Sequence, residues 1–159
     1  MTDYKLQSKA SFNVAGTGVE LKSHYTDFMG INQEKADFYK KIQTNGTFDK
    51  LKSVAKTPEL FLVNEAYDDK MMYYFGVQTD ETLPEVTRNI EFPASEYLII
   101  SGTSSDIESL AMQLTGSAFG DVLMNLSDYA YVGGPNTVVV NEQKENQVTG
   151  EIWIPVVKQ

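Results

Sequence analysis

Val148-Thr149-Gly150-Glu151-Ile152-Trp153-Ile154-Pro155-Val156-Val157, the closing stretch of the chain, decides how the rest is read. Side chains of a strand alternate between its two faces. Ile152, Ile154 and Val156 then share one apolar, β-branched face suited to a core, while Glu151, Trp153 and Pro155 share the other. A carboxylate two residues from the single Trp, on a strand this apolar, makes a candidate ligand site. An anion beside a flat ring can receive a cationic or aromatic molecule through charge and through the ring quadrupole. The same alternation also fits an outer sheet face with Glu151 solvated and Trp153 a half-covered anchor. The strand alone leaves both readings open.

Upstream, Tyr129 to Val140 and the polar turn Glu142 to Gln147 complete a hairpin with this strand. Before it comes a helix capped by Ser105 or Asp106, with Ile107, Leu110, Ala111, Leu114, Ala118 and Val122 as one apolar stripe. Gly116 and Gly120 inside that pattern suit close packing. A strand region over Thr87 to Gly102, interrupted at Pro93, opens this half. The first half runs in the same order. Residues 4–22 alternate as a strand bulged at Gly16-Thr17-Gly18, and Ser23 to Gly30 reads as a loop. A helix follows, with Asn32 as N-cap and Ile31, Lys35, Phe38 and Ile42 at helical spacing. A short helical piece from Phe48 to Ala55 stops at Thr57-Pro58. Leu60 to Tyr67 and Met71 to Thr79 then form a hairpin around Asp68-Asp69-Lys70.

Each half thus reads strand, helix, strand, strand, over about residues 4–79 and 87–157. The two closing strands align in kind: Tyr74 falls on Trp153, Gly76 on Pro155 and Val77 on Val156, while Met72 becomes Glu151. Two similar units commonly leave a ligand groove where they meet. A charge that breaks the repeat raises the functional reading of Glu151.

Bulk composition narrows the function classes. A length of 159 residues suits one domain with a real core. With 22 acids against 13 scattered bases, the net charge of −9 argues against nucleic acid as a direct partner. The chain has no cysteine, hence no disulfide or thiolate chemistry, which is compatible with a reducing cytoplasm. Its N-terminus, Met1-Thr2-Asp3-Tyr4-Lys5, lacks the apolar run of a secretory signal, and no segment suits a membrane helix. One histidine and no cysteine exclude a His/Cys zinc site, no calcium loop is found, and no cofactor is expected. The oligomeric state is not encoded in any of these features.

The duplicated order, Tyr73-Tyr74-Phe75-Gly76-Val77, Tyr131-Val132-Gly133-Gly134-Pro135 and Glu151-Ile152-Trp153-Ile154-Pro155-Val156 together resemble the GyrI-like effector-binding domain family. The resemblance covers roughly residues 4–157. It implies an α+β fold: an antiparallel sheet with two main helices on one face and a ligand cleft on the other. It implies a cleft for bulky, flat, cationic or hydrophobic molecules, contacted by an acidic residue on a late strand. Many relatives carry a DNA-binding helix-turn-helix ahead of this unit. Here the first strand starts at about Tyr4, so a stand-alone pocket without a direct transcriptional role is expected. Some stand-alone relatives hydrolyse cyclopropane-bearing xenobiotics; others bind small molecules or modulate protein partners.

With the resemblance added, Glu151 leads as ligand anion or, in an enzyme, as the proton-transferring acid. Trp153 and Tyr74 are the candidate aromatic walls, one from each half, set against ordinary core packing. Tyr25 and Tyr131 are candidate phenols at the cleft edge. Phe119 reads as core, His24 as a loop residue without triad spacing, and Glu65 as a possible second carboxylate. The expected function is capture of a flat hydrophobic or cationic molecule. The alternatives are a hydrolase of strained-ring electrophiles and, more weakly, an acidic modulator of a protein partner.

Overall fold

In a computed structural model that describes residues 2–159, the chain begins with β1 (Lys5–Lys9) and β2 (Phe12–Glu20). Met1 lies outside the described residues. Two helices follow, α1 (Phe28–Thr44) and α2 (Thr47–Val54), then the hairpin β3 (Leu60–Tyr67) and β4 (Lys70–Val77). The second half holds β5 (Arg88–Phe92), β6 (Ser95–Ser104), α3 (Ile107–Ser117), β7 (Tyr129–Tyr131), β8 (Asn136–Lys144) and β9 (Gln147–Lys158). A π-helical turn at Ala118–Val122 and a last turn at Leu123–Asn125 extend α3.

All strands join one antiparallel sheet, curled into a half-barrel, in the order β1-β6-β9-β8-β3-β4-β2-β5, with β7 beside the end of β9. The duplication is visible in that order. Each hairpin pairs its second strand with the half's own leading strand, and the halves meet where Leu62 of β3 faces Val138 of β8. The stretch read as one strand over residues 4–22 divides at Ala10-Ser11. Its first part pairs with β6 of the other half, and β5 returns the exchange by pairing with β2.

Three local readings shift. Asp27, not Asn32, caps α1: its carboxylate accepts from the Gly30 amide at 3.0 Å, which draws Phe28-Met29-Gly30 into the first turn. Asp106 caps α3 through the Ser109 amide at 2.7 Å. Residues 129–140 divide into β7 and β8, because the chain leaves β9 at Val132 to Pro135 before rejoining it. The hairpin tip tightens to Glu145-Asn146, where Asn146 takes a positive φ of 62°. The first hairpin turns on Asp68 and Asp69, both left-handed at 54° and 60°, a conformation Asp tolerates through its short polar side chain.

Alternation divides the apolar side chains into two layers. Leu62, Tyr73, Phe75, Leu98, Val138, Ile152, Ile154 and Val156 face the helices and bury Phe38, Ile42, Leu51, Leu110 and Leu114. Val14, Phe61, Val63, Tyr74, Ile90, Phe92, Tyr97, Ile99, Val139 and Trp153 form a second core on the other face. Gly76 sits where the sheet is tight: a Cβ there would meet Ala15 O and Val14 Cγ1 at 2.6 Å.

Candidate functional site: a cavity between the helices

Helices α1 and α3 stand apart over the centre of the sheet, and between them lies a cavity of about 500 Å³. Its floor is Leu62, Asn64, Tyr73 and Val138, which alternation turns toward the helices. From α1 come Phe28, Asn32, Lys35, Ala36 and Tyr39, spaced three and four apart and therefore on one stripe. The facing stripe holds Glu108, Ala111, Met112, Thr115, Gly116 and Phe119. Gly116 and Gly120 contribute absence: a Cβ at either would touch nothing within 4 Å, so these glycines widen the wall and do not bring packed surfaces closer. Phe28, Met112 and Met124 line the opening and are exposed.

The polar groups inside are few and perturbed. Burial lowers the Lys35 ammonium to about 8, and its Nζ lies 4.7 Å from the Tyr73 ring centroid. Burial, reinforced by Asp106, raises the Glu108 carboxyl above the usual carboxylate range. Tyr39 is pushed up to about 12 by burial, then by the charges of Glu108 and Asp106. Tyr73 moves the same way, through burial first and then Glu108 and Tyr39. Both phenols therefore stay neutral at physiological pH. The result is a largely apolar chamber with aromatic walls, one acid and one amine.

The sequence-derived candidates lie elsewhere. Glu151 and Trp153 sit side by side on the sheet face away from the helices, opposite Ile152, Ile154 and Val156, as the alternation requires. Their polar atoms are already matched. Trp153 Nε1 donates to Glu151 Oε1 at 3.0 Å, Ser101 Oγ donates to Oε2 at 3.2 Å, and Lys5 Nζ stands 3.8 Å from the same carboxylate. The ring faces Lys9 Nζ at 4.0 Å and meets Phe12 and Phe61 edge-on at 5.7 and 6.0 Å. The chain's own lysines thus stand where a cationic ligand was expected.

Tyr74 belongs to the same buried layer, but β8 and β3 separate it from Trp153 in the register Trp153–Thr137–Val63–Tyr74. Tyr131 donates to Gly134 O, accepts from Asn136 Nδ2 at 3.2 Å and packs edge-on behind Phe119 at 5.6 Å. Tyr25 is exposed and lies tilted against His24, with ring centroids 4.3 Å apart. None of these five lines the cavity. Glu65 is held in a two-pronged ion pair by Arg88, at 2.7 and 2.9 Å. Phe119, read as core, does line the cavity.

The far sheet face, where the ligand cleft was expected, carries a buried aromatic layer of its own. The open space is on the helix side, where the two helices leave the strands between them uncovered. Lys35, Tyr39, Tyr73 and Glu108 are the residues the sequence reading passed over. Lys35 and Tyr39 share a helical stripe with Asn32, and Tyr73 is the strand neighbour of Tyr74 pointing the other way.

Comparison with known proteins agrees with this architecture. The family profile for integron-associated effector binding proteins, Cass2, matches residues 5–156. The structure of SAV2435 bound to tetraphenylphosphonium is similar, at a TM-score of 0.77 and 16% identity, over 98% of this chain and 94% of that one. A structure from Staphylococcus aureus MU50, described as a transcription regulation protein, gives 0.75 and 17% over 98% and 99%. An integron cassette protein from the mobile metagenome of Vibrio cholerae gives 0.60 and 11% over 97% and 95%. A search of curated proteins finds no match. The chain therefore belongs to the integron-associated effector binding protein family and carries the GyrI-like effector-binding fold.

Proposed function

We propose that the protein binds a bulky, flat, lipophilic cation in the cavity between α1 and α3, with Tyr39, Tyr73 and Phe119 as aromatic walls and Glu108 as the charge partner. The observation that carries this reading is a carboxyl group at the solvent-facing rim of an apolar, aromatic-lined cavity of about 500 Å³. Such a volume is in the range of small-molecule sites. A cation entering it would hold Glu108 ionised and gain both the charge and the ring quadrupole. The tetraphenylphosphonium bound to SAV2435, a protein of the same fold, supports this ligand class.

Calorimetric titration with tetraphenylphosphonium and with neutral triphenylphosphine oxide tests the proposal. Glu108→Gln keeps the shape and removes the charge. It is expected to weaken the cation by roughly tenfold, about 1.4 kcal/mol, while the neutral compound loses little. Equal affinities of wild type and Glu108→Gln for the cation would overturn the role of Glu108. A loss caused by Glu151→Gln in its place would move the site to the far face of the sheet.

One observation favours hydrolysis of a strained-ring electrophile as a second reading. A carboxyl whose pKa is raised by partial burial beside an apolar cavity is suited to donating a proton to a departing group. Turnover of a cyclopropane-bearing compound, lost in Glu108→Gln, would establish it. No turnover by the wild type leaves the binding reading alone.

A further inference from the structure

We infer that Lys35 is a resident competitor for the cation subsite on Tyr73, so that uptake of a lipophilic cation is coupled to release of a proton from Lys35. This rests on the binding reading above and specifies how that site is regulated.

The geometry comes first. Lys35 lines the cavity, and its ammonium stands 4.7 Å from the centroid of Tyr73. That ring face is the surface a cationic ligand would use. Among the described ion pairs none involves Lys35, although Glu108 lines the opposite wall. The titratable groups on the surrounding elements are Tyr39 on its own helix, Tyr73 on β4, and Glu108 with Asp106 at the start of α3, and burial alone accounts for the Lys35 shift. Both phenols are pushed upward by burial, so neither titrates below pH 9. Lys35, brought down to about 8 by burial, is the basic group of the cavity and changes charge at neutral to mildly alkaline pH.

Two like charges cannot share one ring face in a chamber of low polarity. At pH 7 roughly a tenth of Lys35 is neutral, given its value of about 8. A cation entering the cavity selects that fraction. Lys35 gives its proton to solvent, and its neutral amine remains beside the ligand. Apparent affinity then rises as pH climbs toward 8 and levels off above it, because free protein no longer holds the proton. Neutral ligands of the same shape escape this dependence.

Calorimetry with tetraphenylphosphonium from pH 6.5 to 9.0, in two buffers of different ionisation enthalpy, reads both affinity and proton release. The expected result for the wild type is up to about tenfold tighter binding per pH unit below 8. Close to one proton should leave per ligand at pH 7. Lys35→Met should bind at pH 7 as tightly as the wild type does at pH 9, with a flat profile. Lys35→Arg, which stays charged, should remain weak and flat throughout. Glu108→Gln should be weaker overall yet keep the slope, and triphenylphosphine oxide should show none. A wild-type profile that binds the cation without pH dependence overturns the inference, as does a slope that survives in Lys35→Met. If Lys35→Met does not fold, proton release by the wild type and the Lys35→Arg profile still decide. Absence of cation binding by every variant at every pH would instead overturn the underlying binding reading.

Discussion

Trp153 and Glu151 illustrate how one pair of residues supports two opposite readings. A buried indole needs an acceptor for its N–H. A glutamate two positions earlier on the same strand face supplies one, and does so at 3.0 Å. Once Lys9 covers the ring and Phe12 stands against its edge, the pair is complete without a ligand. Sequence alone shows the acid beside the aromatic but not the strand that closes over them. Phe12 arrives from the corner between β1 and β2, 141 positions away (153 − 12), and stacks on Phe92 at 4.6 Å. Trp153→Ala should therefore act on stability, costing about 3–5 kcal/mol, the range for removing a large buried aromatic. Affinity for tetraphenylphosphonium in the folded fraction should stay within about twofold, less than 0.5 kcal/mol. Urea denaturation followed by titration checks both. A tenfold loss of affinity with stability intact would return Trp153 to the ligand site.

The hairpins were legible because their signals are local. Asp68-Asp69 between two apolar runs marks a turn, and alternation from Leu60 to Val77 assigns each side chain a face. The helix stripes were equally plain. What could not be read was non-local: the exchange of β1 and β5 between halves, and the gap between α1 and α3. A cavity is a space that helices fail to fill, and no residue type announces it. Asn32, Lys35 and Tyr39 look like an ordinary half-polar stripe until a second helix stands opposite.

The exchange of strands also explains Glu65. In the sheet order β3-β4-β2-β5, two strands separate Glu65 from Arg88, a backbone distance of about 14 Å if the sheet were flat. The ion pair at 2.7 Å is possible because the sheet curls, and Gly16 and Gly18 on the intervening β2 leave room for the Tyr74 side chain between the two strands. Tyr67 then stacks on the guanidinium at 3.6 Å. The Glu65 side chain is 8% exposed, so Arg88→Met would strand a buried carboxylate. The expected cost is about 2–4 kcal/mol. The double variant with Glu65→Gln should recover part of it, since the stranded charge is then gone. Denaturation curves of the three variants measure this, and a loss below about 0.5 kcal/mol for Arg88→Met would show that the pair follows the curl and does not hold it.

Across the whole molecule, the net charge of −9 and the proposed ligand class fit the same electrostatic argument. An acidic protein raises the local concentration of cations and speeds their arrival, and it repels polyanions by the same field. The bases do little to offset this at the surface. Lys50 pairs with Glu85, Lys56 with Asp80, Lys144 with Glu142, and Arg88 is committed to Glu65. Lys35 points into the cavity and Lys9 lies on Trp153. Lys22, Lys40, Lys41, Lys52, Lys70 and Lys158 form no described ion pair. Against 22 acids they are too few and too scattered along the chain to release many counterions from a duplex, and that release dominates non-specific binding. No helix among the described residues is long and apolar enough to cross a membrane. Random duplex DNA should therefore show no shift at physiological salt with protein in the micromolar range. Lowering the salt should produce at most weak association, while the association rate of tetraphenylphosphonium rises as screening is removed. A salt-dependent shift at submicromolar protein would mean that a basic surface escapes this accounting, and it would reopen nucleic acid as a partner.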